Sequence, residues 1–316
     1  MILLTGATGF IGRHLLDRLL GEGQRVRCLV RGERTLPCET ALADLITGAR
    51  VDRALAGVDT VIHLAGVTKA LRPAEYESGN VTASAILARE AAGKVKRFVH
   101  VSSLAAIGPA SGNEPVNEDT PPHPVSIYGR SKLRGEEAVR NALPDAVIVR
   151  PPVVYGPADT DVFRLLKAVS QGLVVEISGG ERWFSSIFVL DLVEGILAAA
   201  TKPQAAGRAY FLTNPRPNTW AQLGASAAAT MGKRVRVLKV PAVLTDGIGY
   251  CGEIWSHVRR KPGIVSRDKM AEAKYANWTC DPTRAAAELN FTAATPLDTG
   301  LAATLAWYRE AGWLKY

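Results

Sequence analysis

The stretch MILLTGATGFIGRHLLDRLLGEG, Met1 to Gly23, decides how the chain begins to fold. A short apolar run stops at GATGFIG, and leucines then recur at helical spacing until Gly21 and Gly23 end the pattern. The spacing predicts a strand, a tight turn and a helix. RVRCLVR follows as a second strand, and VDTVIHLAG reads as a buried strand ending in a turn. SAILAREAAGKVKRFVHVSS gives a helix and then a strand, and GRSKLRGEEAVRNALPDAVIVRPPVVYG repeats the alternation. Strands alternating with helices of about ten to fifteen residues imply an α/β fold, a doubly wound parallel sheet covered on both faces. After Gly156 the alternation weakens, because Pro- and Gly-bearing segments such as NPRPNTW interrupt the helical stretches. The expected division is a doubly wound unit over residues 1–156, completed by segments near 187–214, with a smaller mixed α/β lobe over 157–186 and 215–316.

Composition narrows the functional classes. A chain of 316 residues that is 47% hydrophobic can bury a sizeable core. Its net charge of +8 comes from basic residues spread singly and in small groups, such as Lys94, Lys96 and Arg97 or Arg259, Arg260 and Lys261. That pattern reads as a solvated basic surface, not as a nucleic-acid patch. Cys28, Cys38, Cys251 and Cys280 show neither CxxC nor Cys/His ligand spacing, so neither a metal site nor a disulfide framework is expected, and a reducing cytoplasm fits. The N-terminus reaches its glycine turn without a basic leader, and no apolar run approaches about eighteen residues, so neither a signal peptide nor a membrane span is expected. The expected partner is a small-molecule substrate, with no nucleic acid and no membrane.

Gly6, Gly9 and Gly12 form G-x-x-G-x-x-G between the first strand and the first helix. Missing side chains there permit a tight turn, close backbone approach to a pyrophosphate, and packing of helix on sheet. The pattern alone is weak, but strand before and helix after place it where a dinucleotide binds. The end of the second strand distinguishes the dinucleotides, since an acid there accepts from a ribose 2′-hydroxyl and an arginine pairs with a 2′-phosphate. Arg31 stands in that place with Arg34 close behind, which favours NADP(H) and leaves NAD(H) as the alternative. Asp44 is a candidate partner for the adenine amine.

In PVSIYGRSKLRGEEAVR, Tyr128 and Lys132 are four residues apart at the start of a helical pattern and project to one side. An ammonium beside a phenol lowers its pKa from about 10 and makes it a usable acid or base. Tyr-x-x-x-Lys also occurs by chance on surface helices. The strand VHVSS, ending in Ser102 and Ser103 at the ligand-binding edge of the sheet, supplies a hydroxyl that can hold a substrate oxygen beside the tyrosine.

Taken in order, TGATGFIG, VIHLAG, VSS, YGRSK and RPPVVYGP resemble the extended short-chain dehydrogenase/reductases of the NAD(P)-dependent epimerase/dehydratase superfamily. The resemblance implies a Rossmann fold and a catalytic set of Ser103, Tyr128 and Lys132. Ser103 is chosen over Ser102 because it stands four residues before Ile107, where many members carry a tyrosine. The cofactor groove implied in this way takes in Gly6, Thr8, Gly9, Phe10, Ile11 and Gly12 in the turn, Arg31, Arg34, Asp44 and Leu45, then Leu64, Ala65 and Gly66. Tyr128 and Lys132 also face the cofactor, and Pro151 and Val153 lie near the nicotinamide. Asn80 matches a frequent asparagine of the family, as a cap or as a cofactor contact, and His63 is read as a strand-end residue and not a base. A homodimer joined through the Tyr128 helix is the assembly the resemblance implies.

The family's chemistry is hydride transfer at a carbon bearing a hydroxyl or carbonyl. Dehydration is disfavoured because Leu104 and Ala105 replace the acidic pair often found after the serine. Nucleotide-sugar members commonly carry a pyrophosphate-binding arginine in a stretch like R-D-F-x-x-V-x-D. Aligned on Val189 and Asp191, that position here is Phe184, with Arg182 two residues away. A small, largely apolar substrate is therefore expected, as in the hydroxysteroid-dehydrogenase-like and dihydroflavonol-reductase-like branch. Tyr155, Trp183, Phe184, Phe188 and Trp255 either line its pocket or form the small lobe's core. A nucleotide-sugar 4-epimerase is the alternative, and a non-catalytic NADP-binding sensor stands behind it.

Overall fold

The structure is a computed structural model and describes every residue except Asn113 and Ile264. Strands β1 (Ile2–Thr5), β2 (Val26–Val30), β3 (Glu39–Leu42), β4 (Thr60–His63), β5 (Arg97–Val101) and β6 (Val147–Val149) lie parallel in one sheet. Four short strands follow outside it: β7 (Val153–Tyr155), β8 (Leu173–Ile177), β9 (Trp183–Phe184) and β10 (Ser186–Phe188). The chain then returns as β11 (Ala209–Tyr210) beside β6, giving the order β11-β6-β5-β4-β1-β2-β3. Three further strands, β12 (Asn218–Thr219), β13 (Arg236–Val240) and β14 (Asn277–Trp278), pair with β8 or β9.

The α-helices among the described residues are α1 (Phe10–Gly21), the single turns α2 (Val51–Ala54) and α3 (Pro73–Tyr76), α4 (Ala83–Ala91), α5 (Ile127–Ala142) and α6 (Val162–Ser170). They continue with α7 (Val189–Thr201), α8 (Trp220–Met231), α9 (Thr245–Val258), α10 (Arg267–Ala273), α11 (Thr283–Leu289) and α12 (Leu297–Glu310). Alternate strand residues point to opposite faces, and both faces are apolar. Leu4, Ile62 and Val99 pack with Leu15 and Leu19 of α1 and Ile196 of α7. Their neighbours Leu3, Val61 and Phe98 pack with Leu87 of α4 and Val139 of α5. Each such side chain contributes about 2 kcal/mol by leaving water, which accounts for strands that read as unbroken hydrophobic runs.

β1 lies between β2 and β4, so the winding reverses there and a crevice opens beyond the carboxyl ends of β1 and β4. A third core gathers Tyr155, Leu166, Phe184, Phe188, Leu223, Leu305 and Tyr308 beside the sheet. Its helix α8 is started by a reciprocal cap between Thr219 and Gln222 and stopped by Gly232 in the left-handed conformation.

Candidate active site

The crevice is built by glycines. Gly6 has φ +75°, and a Cβ there would lie 2.7 Å from the Ala65 nitrogen, in the turn after β4. A Cβ at Gly12 would strike the Gly6 carbonyl oxygen. Gly9 begins α1 without a side-chain cap, so Thr8 and Gly9 leave the backbone N–H groups of Phe10 and Ile11 facing outward. Such a cradle fits a pyrophosphate that approaches the backbone closely. Arg31 and Arg34 are exposed just beyond β2. Asp44 accepts from the Ile46 N–H at 2.7 Å, and this bond first and Arg31 later hold its carboxyl below the usual range. Leu45 beside it is buried.

The turn Leu64–Ala65–Gly66 is held by a buried chain of polar groups. Thr5 Oγ1 accepts from the Ala65 N–H and, in the tautomer that Ser84 fixes, donates to His63 Nδ1 at 2.7 Å. Ser84 donates to the Asn80 carbonyl, so His63 Nε2–H donates to Ser84 Oγ at 3.0 Å. Burial, with Lys132 nearby, pushes His63 down to about 3. Neutral and fully used, it has no proton to exchange at working pH. Asn80 clamps both the N–H and the carbonyl of Val67 and also reaches Ser131 Oγ. Its task is to fix the loop, within helical residues 77–82 and not at a helix start.

Ser126 caps α5 by accepting from the Gly129 N–H at 2.9 Å. Gly129 lets the helix lie against the Ser103 turn, because a Cβ there would strike the Ala105 carbonyl. That turn is anchored by the Leu104 N–H on the Pro151 carbonyl, 2.9 Å, while Val153 follows on β7. Ser103 accepts from the Ala105 N–H, and its side chain is near enough to the Tyr128 phenol to oppose in part the effect of burial on it. Lys132 is buried, donates to the Val101 carbonyl at 2.9 Å, and lies next to Gly66. Ser103 and Tyr128 thus lie close together, while the Lys132 ammonium is directed to the Val101 carbonyl beside Gly66.

Comparisons with known proteins give the family. The sequence profile described as NAD dependent epimerase/dehydratase family matches residues 2–212. The chain belongs to that family. Among its relatives, the ceramide reductase of Caulobacter vibrioides is 32% identical over 99% of this chain and 96% of that protein. The N-acetyl-alpha-D-glucosaminyl-diphospho-ditrans,octacis-undecaprenol 4-epimerase of Escherichia coli O157:H7 is 29% identical over 84% of this chain and 82% of that one. The structure of MoeE5, solved with UDP-glucose and NAD, superposes with a TM-score of 0.79 at 25% identity over 98% of this chain and 99% of that one.

Within the family's Tyr-x-x-x-Lys pair, the electrostatics differ from the sequence expectation. The Tyr128 phenol is raised, not lowered, and burial is the first cause. The ammonium that most opposes this is that of Lys269, 5.0 Å from the ring centroid, and not Lys132, which turns back to the β5 carbonyl. Burial pushes Lys132 itself down to about 8, against the partial help of Glu136. Glu136 is one further turn along α5 and is gripped by Arg150 through bonds of 2.6–3.2 Å in a buried pair.

Helix α10 supplies the groups that the sequence reading missed. Asp268 accepts from the backbone N–H groups of Ile127 and Tyr128, at 2.5 and 3.2 Å, where the first turn of α5 is electropositive. Glu272 accepts from Ser126 Oγ at 2.7 Å and from Lys269 at 2.9 Å. Lys69, in the loop after β4, pairs with Asp161 at the start of α6, and the Asp161 charge adds a small upward push on the Tyr128 phenol. No local pattern marks SRDKMAE as part of this site, since its partners are about 140 residues away.

Of the two readings of the aromatics, lobe core and pocket lining, the structure bears out the core for three of them. Tyr155, Phe184 and Phe188 sit in the third core, with Phe184 stacked on Trp220 at 4.1 Å, and Trp183 lies on the two-residue strand β9. Trp255 is 62% exposed on the outer side of α9. Arg182 spends its guanidinium on the carbonyls of Ile177, Ala273 and Tyr275. A cleft of about 330 Å³ does open between α5 and α9–α10, bounded by Tyr76, Ile127, Ser256 and Asp268. Tyr76, on its wall, lies 6.1 Å from the Tyr128 ring, centroid to centroid, and Tyr128 itself does not line the cleft. The sulfurs of Cys28 and Cys38 touch at 3.3 Å, a proximity that the sequence reading did not anticipate, although all four cysteines are free thiols. No described helix is long and apolar enough to cross a membrane, and no described cluster is arranged to hold a metal.

Proposed function

We propose that this protein is an NADP(H)-preferring oxidoreductase that interconverts a hydroxyl and a carbonyl on a largely apolar substrate. The observation that carries the reading is the half-buried Tyr128, whose phenol is raised and so held protonated close to the Ser103 side chain. In the direction of reduction, Tyr128 donates its proton to the substrate oxygen while Ser103 donates a hydrogen bond to the same atom. Bound nicotinamide supplies or accepts the hydride. Lys132 holds its ribose hydroxyls, Gly6, Gly9 and Gly12 admit its pyrophosphate, and Arg31 with Arg34 pairs with the 2′-phosphate that distinguishes NADP(H).

The substrate class rests on Phe184 and Arg182. The place where a nucleotide-sugar enzyme would carry an arginine is a core phenylalanine, and the neighbouring guanidinium is tied to three carbonyls. The name of the ceramide reductase from Caulobacter vibrioides points to a lipid substrate as well. A 4-epimerase acting on a lipid-linked sugar is the second reading, favoured by the Escherichia coli relative. The test is to follow absorbance of NADPH and of NADH while offering long-chain ketones, hydroxysteroids and lipid-linked or UDP-sugars. Net NADPH oxidation by an apolar ketone is the expected outcome. Sugar interconversion on retained cofactor, with no net redox change, would overturn the reading.

A further inference from the structure

Helix α9 is amphipathic in the reverse sense. Its inward side is small and polar: Thr245, Gly249 and Ser256 are buried. Added Cβ atoms at Gly249 and Gly252 would press on Met270, Arg267 and Val265, so close packing against the α10 segment explains the glycines. The outward side carries Leu244, Ile248, Cys251, Trp255 and Val258, at steps of four, three, four and three residues. Trp255 is 62% and Val258 71% exposed, and Tyr250 and Ile254 extend the same surface. An ordinary surface helix would present polar residues here; a contiguous apolar stripe on a helix marks a face that binds something.

The charge around the stripe identifies what it binds. The helix ends in Arg259, Arg260 and Lys261, all exposed, with Arg267 exposed after the turn. Residues 233–261 hold seven basic and two acidic side chains, a net charge of +5 out of the chain's +8. Of the two acids, Asp246 is paired with Lys274, and Glu253 turns toward Arg267. A second copy docking through this face about a two-fold axis would bring like charge against like, which disfavours it. An apolar stripe with Trp and Tyr at its margin, ending in a basic cluster, has the chemistry of a helix lying in the headgroup layer of an anionic bilayer.

We propose that the outer face of α9, with Arg259, Arg260 and Lys261, docks the protein on the surface of an anionic lipid bilayer. Docking needs no spanning segment. It sets α9, whose opposite face borders the cleft ahead of α5, against the bilayer, so that an apolar substrate is delivered next to the cleft. That last link rests on the apolar-substrate reading above, whereas the docking does not.

The full chain is floated with vesicles of phosphatidylcholine alone and of phosphatidylcholine mixed with phosphatidylglycerol, without substrate or cofactor. Flotation with the anionic vesicles, weakened by salt, is expected. Two triple variants, Ile248→Ser/Trp255→Ser/Val258→Ser and Arg259→Glu/Arg260→Glu/Lys261→Glu, should each lose at least about tenfold in vesicle affinity. A polarity-sensitive dye on Cys251, the exposed cysteine on the stripe, gives an independent reading on otherwise unaltered protein and should shift to the blue on anionic vesicles. Absence of flotation together with an unshifted dye overturns the proposal. So does a concentration-dependent dimer that the serine variant abolishes in a protein that ignores vesicles. Because these measurements need no turnover, failure of the docking and failure of the oxidoreductase reading are distinguishable.

Discussion

Replacing Lys132 by methionine should make the cofactor-free protein more stable near neutral pH while removing its activity. The lysine is buried, and its folded pKa falls from 10.5 to about 8, with burial as the first cause. At about 1.4 kcal/mol per unit, the charged form costs the folded state about 3 kcal/mol at neutral pH. The variant forfeits the bond to the Val101 carbonyl, 2.9 Å away. Leaving that acceptor unpaired costs about 1 kcal/mol, so a net gain of about 2 kcal/mol remains. The pH dependence is the sharper test. Between about pH 8 and 10.5 the folded wild type has released a proton that the unfolded chain still holds, so wild-type stability rises with pH in that window relative to a variant without the group. Between pH 7 and pH 9.5 the gap should close by about 2 kcal/mol. Paired urea titrations at the two pH values measure it, since every other titrating group is common to both proteins. A gap that does not change with pH would refute the assignment of a strained ammonium at this position. A gap that closes, in a variant that no longer turns over, identifies a lysine retained at a cost in stability for what it holds.

Three further perturbations separate the proposed roles. Tyr128→Phe removes the proton donor but leaves the glycine cradle, so turnover should fall by about a hundredfold or more with cofactor Kd nearly unchanged; wild-type kcat would sink the acid/base assignment. Arg31→Asp should weaken NADPH by roughly tenfold or more while sparing NADH, because one charge-assisted contact to phosphate is worth about 1.5–3 kcal/mol; equal Kd changes for both cofactors would reject the contact. Lys269→Met removes the cation over the Tyr128 ring, so the phenol should titrate still higher and the alkaline rise of the oxidation rate should move to higher pH, with Lys269→Arg restoring it. An unmoved pH profile would leave Lys269 with packing alone.

The doubly wound sheet was legible because its strands are buried on both faces and its helices show one apolar stripe. Leu3 and Leu4 point to opposite sides and both find cores, so the run ILLT carries its own evidence of a central position. Part of the second lobe, the sheet of β9, β12 and β14, is stitched from strands of two residues, and those carry no period. Trp183 and Phe184 of β9 pair with Asn277 and Trp278 in one direction and with Thr219 and Asn218 in the other, across separations that only the finished fold creates. The aromatics of that region were ambiguous for a related reason. Core and pocket make the same demand on composition, and what separates Phe184 from Trp255 is the side of the chain on which each lands.

The site divides along the same line. Gly6 against Ala65, and Ser103 beside Tyr128, follow from motifs in which the chemistry needs fixed residue types at fixed local spacing. The sign of the Tyr128 shift does not. A helix places Lys132 on the same side as Tyr128, but whether its ammonium faces the phenol depends on competing partners, and the Val101 carbonyl takes it. Sequence spacing fixes where a side chain starts, while the field at the phenol depends on where the charge ends. Here that field is supplied by Lys269, from a segment whose two carboxylates, Asp268 and Glu272, are satisfied by the first turn of α5 and its cap. The contacts that seat α10 on α5 therefore also set the charge over Tyr128. A shift of α10 away from α5 would remove the Lys269 cation and the Asp268 cap together. The seating of α10 on α5 is thereby coupled to the ionisation of the Tyr128 phenol.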